Sequence, residues 1–165
     1  MMRITGLLLI GLALLSLAAC DPNRVFEKNV DIPDYVWNYQ DPVAFEVAIE
    51  DTTAIYNLYV NVRHTNFYPF SNMWVMVTTV FPDGETLEQR LDLELADKDG
   101  KWFGDCLGDI CDVQLILQEK AYFNQVGTYT FRFNQIMRMD DLPAVMSMGL
   151  RVEKAGERPP TATTE

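Results

Sequence analysis

Apolar and polar residues alternate with a period of two through most of this chain, a pattern that predicts an all-β fold. Segment 43–49 is typical, with apolar side chains at every odd position: Val43, Phe45, Val47 and Ile49. Because successive side chains of a strand point to opposite faces, such a segment places one face on a core and the other in water. The same alternation recurs at residues 58–63, 87–95, 128–134 and 146–153.

Seven or eight strands are predicted in all, separated by turn residues. Residues 73–81 are apolar on nearly both faces, which predicts a central strand covered on both sides. Asp83-Gly84 follows as a hairpin signal, and residues 113–124 fit a strand that runs into an irregular stretch better than a helix. Tyr129 resembles the tyrosine of a late sandwich strand whose hydroxyl bonds to the preceding corner. The expected fold is a single antiparallel β-sandwich of immunoglobulin-like or jelly-roll type.

The N-terminus has the organisation of a lipoprotein signal peptide. Arg3 precedes a nearly unbroken apolar run at residues 4–17, and Leu-Ala-Ala-Cys ends at Cys20. This pattern predicts cleavage after residue 19, acyl chains on Cys20 and a short tether at residues 20–23. The alternative is an uncleaved membrane span, but the run is shorter than the ~20 residues that a bilayer requires.

The remaining chain divides into one predicted domain and a tail. Residues 24–155 carry the strand pattern and are long enough to bury a core of their own. Residues 156–165 contain Gly, Pro, Thr and charged residues with almost no apolar content, so we expect a disordered tail.

The charge balance limits the partners of this chain. It contains 24 acidic and 13 basic residues, for a net charge of −11. Binding to nucleic acid requires clustered Lys and Arg, so we expect no nucleic-acid partner. Anionic headgroups would repel such a body, and membrane attachment should therefore depend on the acyl chains of Cys20.

Two further cysteines, Cys106 and Cys111, lie five positions apart. In an exported chain this even pair indicates a disulfide that closes a small loop, and two buried thiols are the alternative. A metal site is disfavoured because His64 is the only histidine and no tetrahedral ligand set is nearby. We expect neither a metal nor a cofactor.

No motif for an enzyme is present, and we expect a non-enzymatic protein. The chain has no nucleophile elbow, phosphate-binding loop or zinc helix. A hydrolase that uses two carboxylates stays possible, but 24 acids make such pairs uninformative. Residues 97–100, together with Asp105, Asp109 and Asp112, have some features of a calcium loop, yet a turn with solvated aspartates explains them better.

Two groups of aromatic and polar residues are candidates for a recognition surface. Tyr35, Trp37 and Tyr39 would lie on one side of an extended segment. The second group belongs to a loop between two predicted strands and comprises His64, Tyr68, Asn72 and Trp74. Loops on a rigid sandwich commonly carry binding residues, and these could stack on a sugar or contact a protein. The alternative is that the aromatic residues cap the core.

Several motifs resemble the gliding-motility lipoprotein GldH family, in order along the chain. They are NLYVNVRHT at residues 57–65, YPFSNMWV at 68–75, GDI at 108–110, GTYTF at 127–131, MR at 137–138 with LP at 142–143, and GLRVEK at 149–154.

The resemblance implies a lipid-anchored envelope component that supports the gliding machinery and its associated secretion apparatus through protein contacts. It implies no catalytic residue and places the protein on the periplasmic side of the outer or inner membrane. The alternative function is a glycan-binding envelope lipoprotein that uses Trp37, Tyr68 or Trp74 as stacking platforms.

Overall fold

A computed structural model describes residues 21–158 as two antiparallel sheets packed face to face. Sheet I has the strand order β1-β11-β4-β8-β7, and sheet II has the order β3-β9-β5-β6. A small ribbon pairs β10 with β2. The strands are β1 (Arg24–Asp31), β2 (Val36–Asn38), β3 (Val43–Ile49), β4 (Ala54–Thr65), β5 (Asn72–Val80), β6 (Thr86–Glu94), β7 (Asp105–Leu107), β8 (Ile110–Ala121), β9 (Gly127–Gln135), β10 (Asp141–Pro143) and β11 (Val145–Glu157).

The strand order identifies the sandwich as a jelly roll. β2, β7 and β10 have three residues each, and the other eight strands form two four-stranded sheets in the orders β1-β11-β4-β8 and β3-β9-β5-β6. Strands from the two halves of the chain interleave in each sheet, which is the arrangement of a double Greek key. The predicted all-β sandwich is confirmed, and of its two expected types the jelly roll is the one observed.

The core lies between the sheets and is built by the alternating residues. In β3 the odd-numbered residues are buried and the even-numbered ones are exposed, as predicted. Phe45 contacts Phe26 and Phe133 with edge-to-face rings whose centroids are 6.2 and 5.8 Å away. The first pair joins β1 of sheet I to β3 of sheet II across the core, and the second joins β3 to its neighbour β9 within sheet II.

The predicted tyrosine corner is present. The hydroxyl of Tyr129 donates to the carbonyl oxygen of Gln125 at 3.1 Å, and the Gln125 backbone N–H lies 3.3 Å from the same hydroxyl. Gly127 lies between them with φ of 143° and packs so closely that a Cβ there would be 2.8 Å from Pro82. A glycine is therefore required where this corner meets the β5–β6 turn.

Three other local predictions can be compared with the structure. The Asp83-Gly84 turn connects β5 to β6, as predicted. β5 is internal to sheet II, but only one face of this strand is buried, and Trp74 on the other face is 38% exposed. The prediction that both faces of this strand are covered is therefore wrong. Residues 110–121 form a strand as expected, with register shifts where it pairs with the start of β4.

The last strand extends beyond the predicted end of the domain at residue 155. β11 continues to Glu157, so residues 156 and 157 pair with β4 and are not part of a disordered tail. The predicted signal peptide at residues 1–19, Cys20, and residues 159–165 lie outside the described residues. Within residues 21–158 no helix is long and apolar enough to cross a membrane.

Candidate functional site

The first predicted group of aromatic residues does not form one surface. Asp34 and Tyr35 have φ angles of 54° and 58°, so a short 3₁₀ turn interrupts the extended segment on which the prediction depended. Trp37 is 1% exposed, and its Nε1 donates to the backbone oxygen of Asp41 at 2.9 Å. Tyr35 and Tyr39 remain exposed. The prediction that Trp37 is a surface platform is therefore wrong.

The second predicted group is divided between core and surface. His64 and Tyr68 are 0% and 3% exposed, and both pack near Trp102, with ring centroids 4.6 and 6.4 Å from it. They belong to the core near the end of β4, so their assignment to a recognition surface is wrong. Asn72 is half-buried and its side chain donates to Asp92 at 2.6 Å. Trp74 is the exposed aromatic residue of this group.

His64 has a structural environment. Its Nδ1 lies 2.9 Å from the backbone oxygen of Thr65, which assigns the proton to Nδ1, and Nε2 makes no hydrogen bond within the described residues. Burial lowers the pKa of His64 below its ordinary value of 6.5, so the ring is neutral at pH 7. A fully buried neutral imidazole does not reach a solvent-borne substrate.

Trp74 is part of a larger feature that we call the aromatic groove. It lies at the start of β5, beside β6 and the segment after β9, and has a volume of about 650 Å³. It is lined by Phe70, Trp74, Arg90, Ile136, Met137, Arg138 and Met139.

Contacts between backbone and side chains fix the shape of the groove. The backbone N–H of Trp74 donates to the Met137 sulfur at 3.2 Å, and the N–H of Ile136 donates to the Trp74 oxygen at 2.9 Å. The Arg90 guanidinium lies 5.7 Å from the centre of the Trp74 ring, within the range of a cation–π contact. Phe70 packs edge-on to buried Tyr68 at 5.9 Å, so the core supports one wall.

Sequence reasoning found Trp74 but missed the rest of the groove. Residues 136–139 follow the end of β9 and have no alternating pattern that would indicate their position. Arg90 lies on a strand with Glu88 and Asp92 at the neighbouring outward positions, so the sequence suggests an ordinary solvated face. The signal that could have found the groove is the Met-Arg-Met run at residues 137–139, because thioethers beside arginines are common in binding surfaces.

The outer face of sheet I carries several clusters of paired polar side chains. Arg151 is only 17% exposed and forms salt bridges with Asp21, Glu27 and Glu153, the last two at 2.8 and 2.9 Å. Glu153 also accepts a hydrogen bond from the Tyr59 hydroxyl at 2.7 Å, and that bond raises the pKa of Tyr59.

Side-chain amides form a separate cluster on the same face. Asn61 donates to Asn29 at 3.2 Å and accepts from Gln114 at 2.9 Å. Arg63 forms a two-pronged pair with Asp112 at 2.7 and 3.1 Å. Most polar groups on this face therefore have partners within the chain itself.

Three of the acidic residues considered for a calcium loop have ordinary structural partners. Asp97 caps a turn, because its Oδ1 accepts from the backbone N–H groups of Asp99 and Lys101 at 2.9 Å each. Asp109 accepts from Asn66 at 2.7 Å, and Asp112 pairs with Arg63. Within residues 21–158 no group of three or more His, Cys, Asp or Glu side chains could hold a metal ion.

Cys106 and Cys111 form a disulfide, as predicted, across the β7–β8 hairpin. Cys111 is 1% exposed, and the tip of the hairpin is bound to the 66–71 loop by the N–H of Asn66, which donates to the Asp109 oxygen at 2.9 Å. The disulfide therefore fixes edge strand β7 to β8, in which Cys111 lies opposite His64 of β4.

Residues 21–23 are bound to the body far from the groove. Asp21 is bound by Arg151 on the outer face of sheet I, and the Asn23 oxygen accepts from the Lys154 N–H at 2.8 Å. These contacts place residues 21–23 at the end of the sandwich that also contains the loops at residues 50–53, 81–85 and 122–126, which we call the anchor end. Trp74 is six residues from the anchor-end limit of β5 at Val80, about 20 Å at ~3.4 Å per residue.

Comparisons with known proteins identify relatives along almost the whole chain. A family model described as GldH lipoprotein matches residues 24–152. A gliding motility lipoprotein GldH of Flavobacterium johnsoniae is 31% identical over 160 residues, covering 93% of this chain and 99% of the relative. A protein of Christiangramia forsetii described as a gliding motility lipoprotein GldH homolog is 28% identical over 145 residues, covering 84% of this chain and 88% of the relative.

Solved structures resemble the chain only distantly. A family 35 carbohydrate binding module from Clostridium thermocellum aligns with a TM-score of 0.32 and 13% identity over 74% of this chain and 97% of that one. A likeness at this distance carries no functional argument.

Proposed function

Because the chain belongs to the GldH lipoprotein family, we propose that it is a lipid-anchored envelope protein that supports the gliding machinery and its associated protein secretion. It acts through protein–protein contacts and performs no catalysis. Acyl chains on Cys20 hold it on the periplasmic side of a membrane.

The aromatic groove is the observation that supports a role in protein contacts. Tryptophan, arginine, phenylalanine and methionine are enriched where proteins bind one another, and the first two dominate binding energies. Here Trp74 and Phe70 are 38% and 37% exposed, beside Met137 and two arginines. Exposure of such side chains costs hydration free energy in the free protein, and burial against a partner recovers it.

The position of the groove agrees with this function. The tether is bound to the outer face of sheet I, whereas the groove is on sheet II, near the opposite end of the sandwich. A body held at its anchor end therefore presents the groove to the periplasm and not to its own membrane.

The test is replacement of the gene in a gliding host by a Trp74→Ala version, with colony spreading and secreted protein as the measurements. We expect both to fall at least tenfold toward the level of the deletion strain, because a central tryptophan commonly contributes 2 kcal/mol or more of binding. Tyr122→Ala is the matched control, since Tyr122 is 45% exposed but lies at the anchor end. Normal spreading and secretion in the deletion strain would contradict the proposed function.

Lipid attachment has its own test. Labelled palmitate should enter the full chain and should be absent from a Cys20→Ser version, which we expect to be released from membranes and inactive. A soluble Cys20→Ser protein that restores spreading would refute the role of the anchor.

A further inference from the structure

The arginines of this chain divide into two groups. Within residues 21–158, Arg24, Arg63 and Arg151 form salt bridges, whereas Arg90, Arg132, Arg138 and Arg158 form none. Arg158 lies over the Tyr122 ring at the anchor end. The other three unpaired arginines are on the outer side of sheet II or the segment that follows it, and two of them line the aromatic groove.

Unpaired arginines are unexpected in a protein with a net charge of −11. Glu88 and Asp92 lie two positions from Arg90 on the same outward side of β6, yet neither forms a salt bridge with it. Asp92 instead accepts from the Asn72 amide at 2.6 Å. The two guanidinium groups of the groove therefore keep their hydrogen-bond donors available beside an apolar floor.

With the chain anchored through Cys20 as proposed, the location of the groove argues against membrane lipid as the source of its anionic partner. Trp74 is about 20 Å from the anchor end of the sheet along β5, at ~3.4 Å per residue. Electrostatic attraction decays over a Debye length of about 8 Å at physiological ionic strength. If the body instead lay flat, its tether would turn the outer face of sheet I toward the bilayer and sheet II away from it.

We propose that the aromatic groove binds an extended segment of a partner protein in which a carboxylate side chain is flanked by apolar or aromatic residues. This inference rests on the proposed function and adds the chemistry of the partner. The two oxygens of the carboxylate accept charge-assisted hydrogen bonds from the guanidinium groups of Arg90 and Arg138. The apolar neighbours cover Trp74, Phe70 and Met137.

The volume of the groove supports a short segment as the occupant. A volume of about 650 Å³ is in the range of pockets that enclose drug-sized ligands, and so accommodates a few side chains. A carboxylate that bridges two arginines sets the register of the segment, and the aromatic floor supplies most of the buried area.

The test is site-specific photocrosslinking with the full-length lipoprotein in a gliding host. A benzoylphenylalanine at Met139 should crosslink to one protein, and mass spectrometry of the crosslinked peptide should find Asp or Glu beside apolar residues. Arg90→Gln/Arg138→Gln should reduce the crosslink at least tenfold. Arg132→Gln, on the same face but outside the groove, should change it less than twofold.

A second double variant separates charge from guanidinium geometry, and a protease assay controls for effects on folding. Arg90→Lys/Arg138→Lys retains the charges and loses the planar guanidinium, so we expect a partial crosslink between the wild-type and glutamine levels. Resistance of each full-length variant to protease must equal that of the wild type.

The possible outcomes separate this inference from the proposed function. A crosslinked segment without a carboxylate, or a crosslink that is indifferent to the glutamine pair, overturns the inference and leaves a role in protein contacts intact. Crosslinks to glycan or lipid alone, or no crosslink while Trp74→Ala spreads normally, overturn both the inference and the use of the groove for protein contacts.

Discussion

The two outer faces of the sandwich use the same residue type in opposite ways. On sheet I, Arg151 and Arg63 bond to carboxylates of the same chain, and amides on the same face bond to one another. On sheet II, Arg90 and Arg132 have no acidic partner within residues 21–158. The number of charges on a face therefore says little about its role; what matters is whether those charges already have partners. We conclude that the first face supports the fold and the second is available for binding.

Among the variants that compare the two faces, Arg151→Met is expected to cause the largest loss of stability. It leaves the carboxylates of Glu27 and Glu153 without their partner, although their side chains are only 26% and 22% exposed. Loss of one member of a fully buried pair costs 3–5 kcal/mol, and partial exposure reduces the expected loss to about 2–3 kcal/mol. Arg132→Met is the control on sheet II and should cost less than about 0.5 kcal/mol. Urea unfolding of the full chains in detergent measures both, and equal losses would remove the distinction between the faces.

Removal of the disulfide is expected to have the next largest effect. A crosslink that closes a loop this short stabilises by about 2 kcal/mol in the chain-entropy description. Because it joins β7 to β8, the loss should concentrate at the edge of sheet I. Hydrogen exchange of Cys106→Ala/Cys111→Ala should increase there and stay unchanged in β5 and β6. An equal increase in sheet II would show that the two sheets do not respond separately.

The pH dependence of stability should distinguish the groove-bearing end from the outer face of sheet I. Burial lowers the pKa of His64 in the folded chain, so between that value and 6.5 the unfolded chain binds a proton that the native chain does not. Stability must therefore fall as the pH falls below about 6.5. His64 packs on Tyr68, which supports Phe70 in the groove wall.

The matched variant for this prediction is His64→Gln, which removes the only histidine of the chain. Its urea midpoint should be lower overall but flat between pH 7 and 5. The carboxylates on the outer face of sheet I should reduce stability only in stronger acid, where they become protonated. The backbone N–H of Asn23 and then Arg151 lower the pKa of Asp21, so its stabilising interaction is lost as the pH falls below 4. A wild-type midpoint that is constant from pH 7 to 5 would contradict this account of His64.

The sequence predicted the sandwich well because alternation, the Asp-Gly turn and the tyrosine corner are all local signals. It could not choose between the two types of sandwich, since strand order depends on pairs such as β4 with β11 that are distant in sequence. The candidate surface was predicted less well for the same reason. The direction of Trp37 depends on the left-handed angles of Asp34 and Tyr35. The burial of His64 and Tyr68 depends on Trp102, which is 38 and 34 residues further along the chain. The groove itself combines segments near residues 74, 90 and 137 that share no periodic pattern.

Arg63→Gln is expected to have the smallest effect and tests why the outer face of sheet I supports the fold. Arg63 and Asp112 are bonded with good geometry, but their side chains are 50% and 53% exposed. Water already solvates both charges, so loss of this pair should cost only about 0.5 kcal/mol in the same urea experiment. If Arg63→Gln costs as much as Arg151→Met, pairing alone would explain the stability of that face. A small loss means that the stabilising effect of Arg151 comes from the combination of pairing and burial, a combination that Arg90 at the mouth of the groove can reach only when a partner covers it.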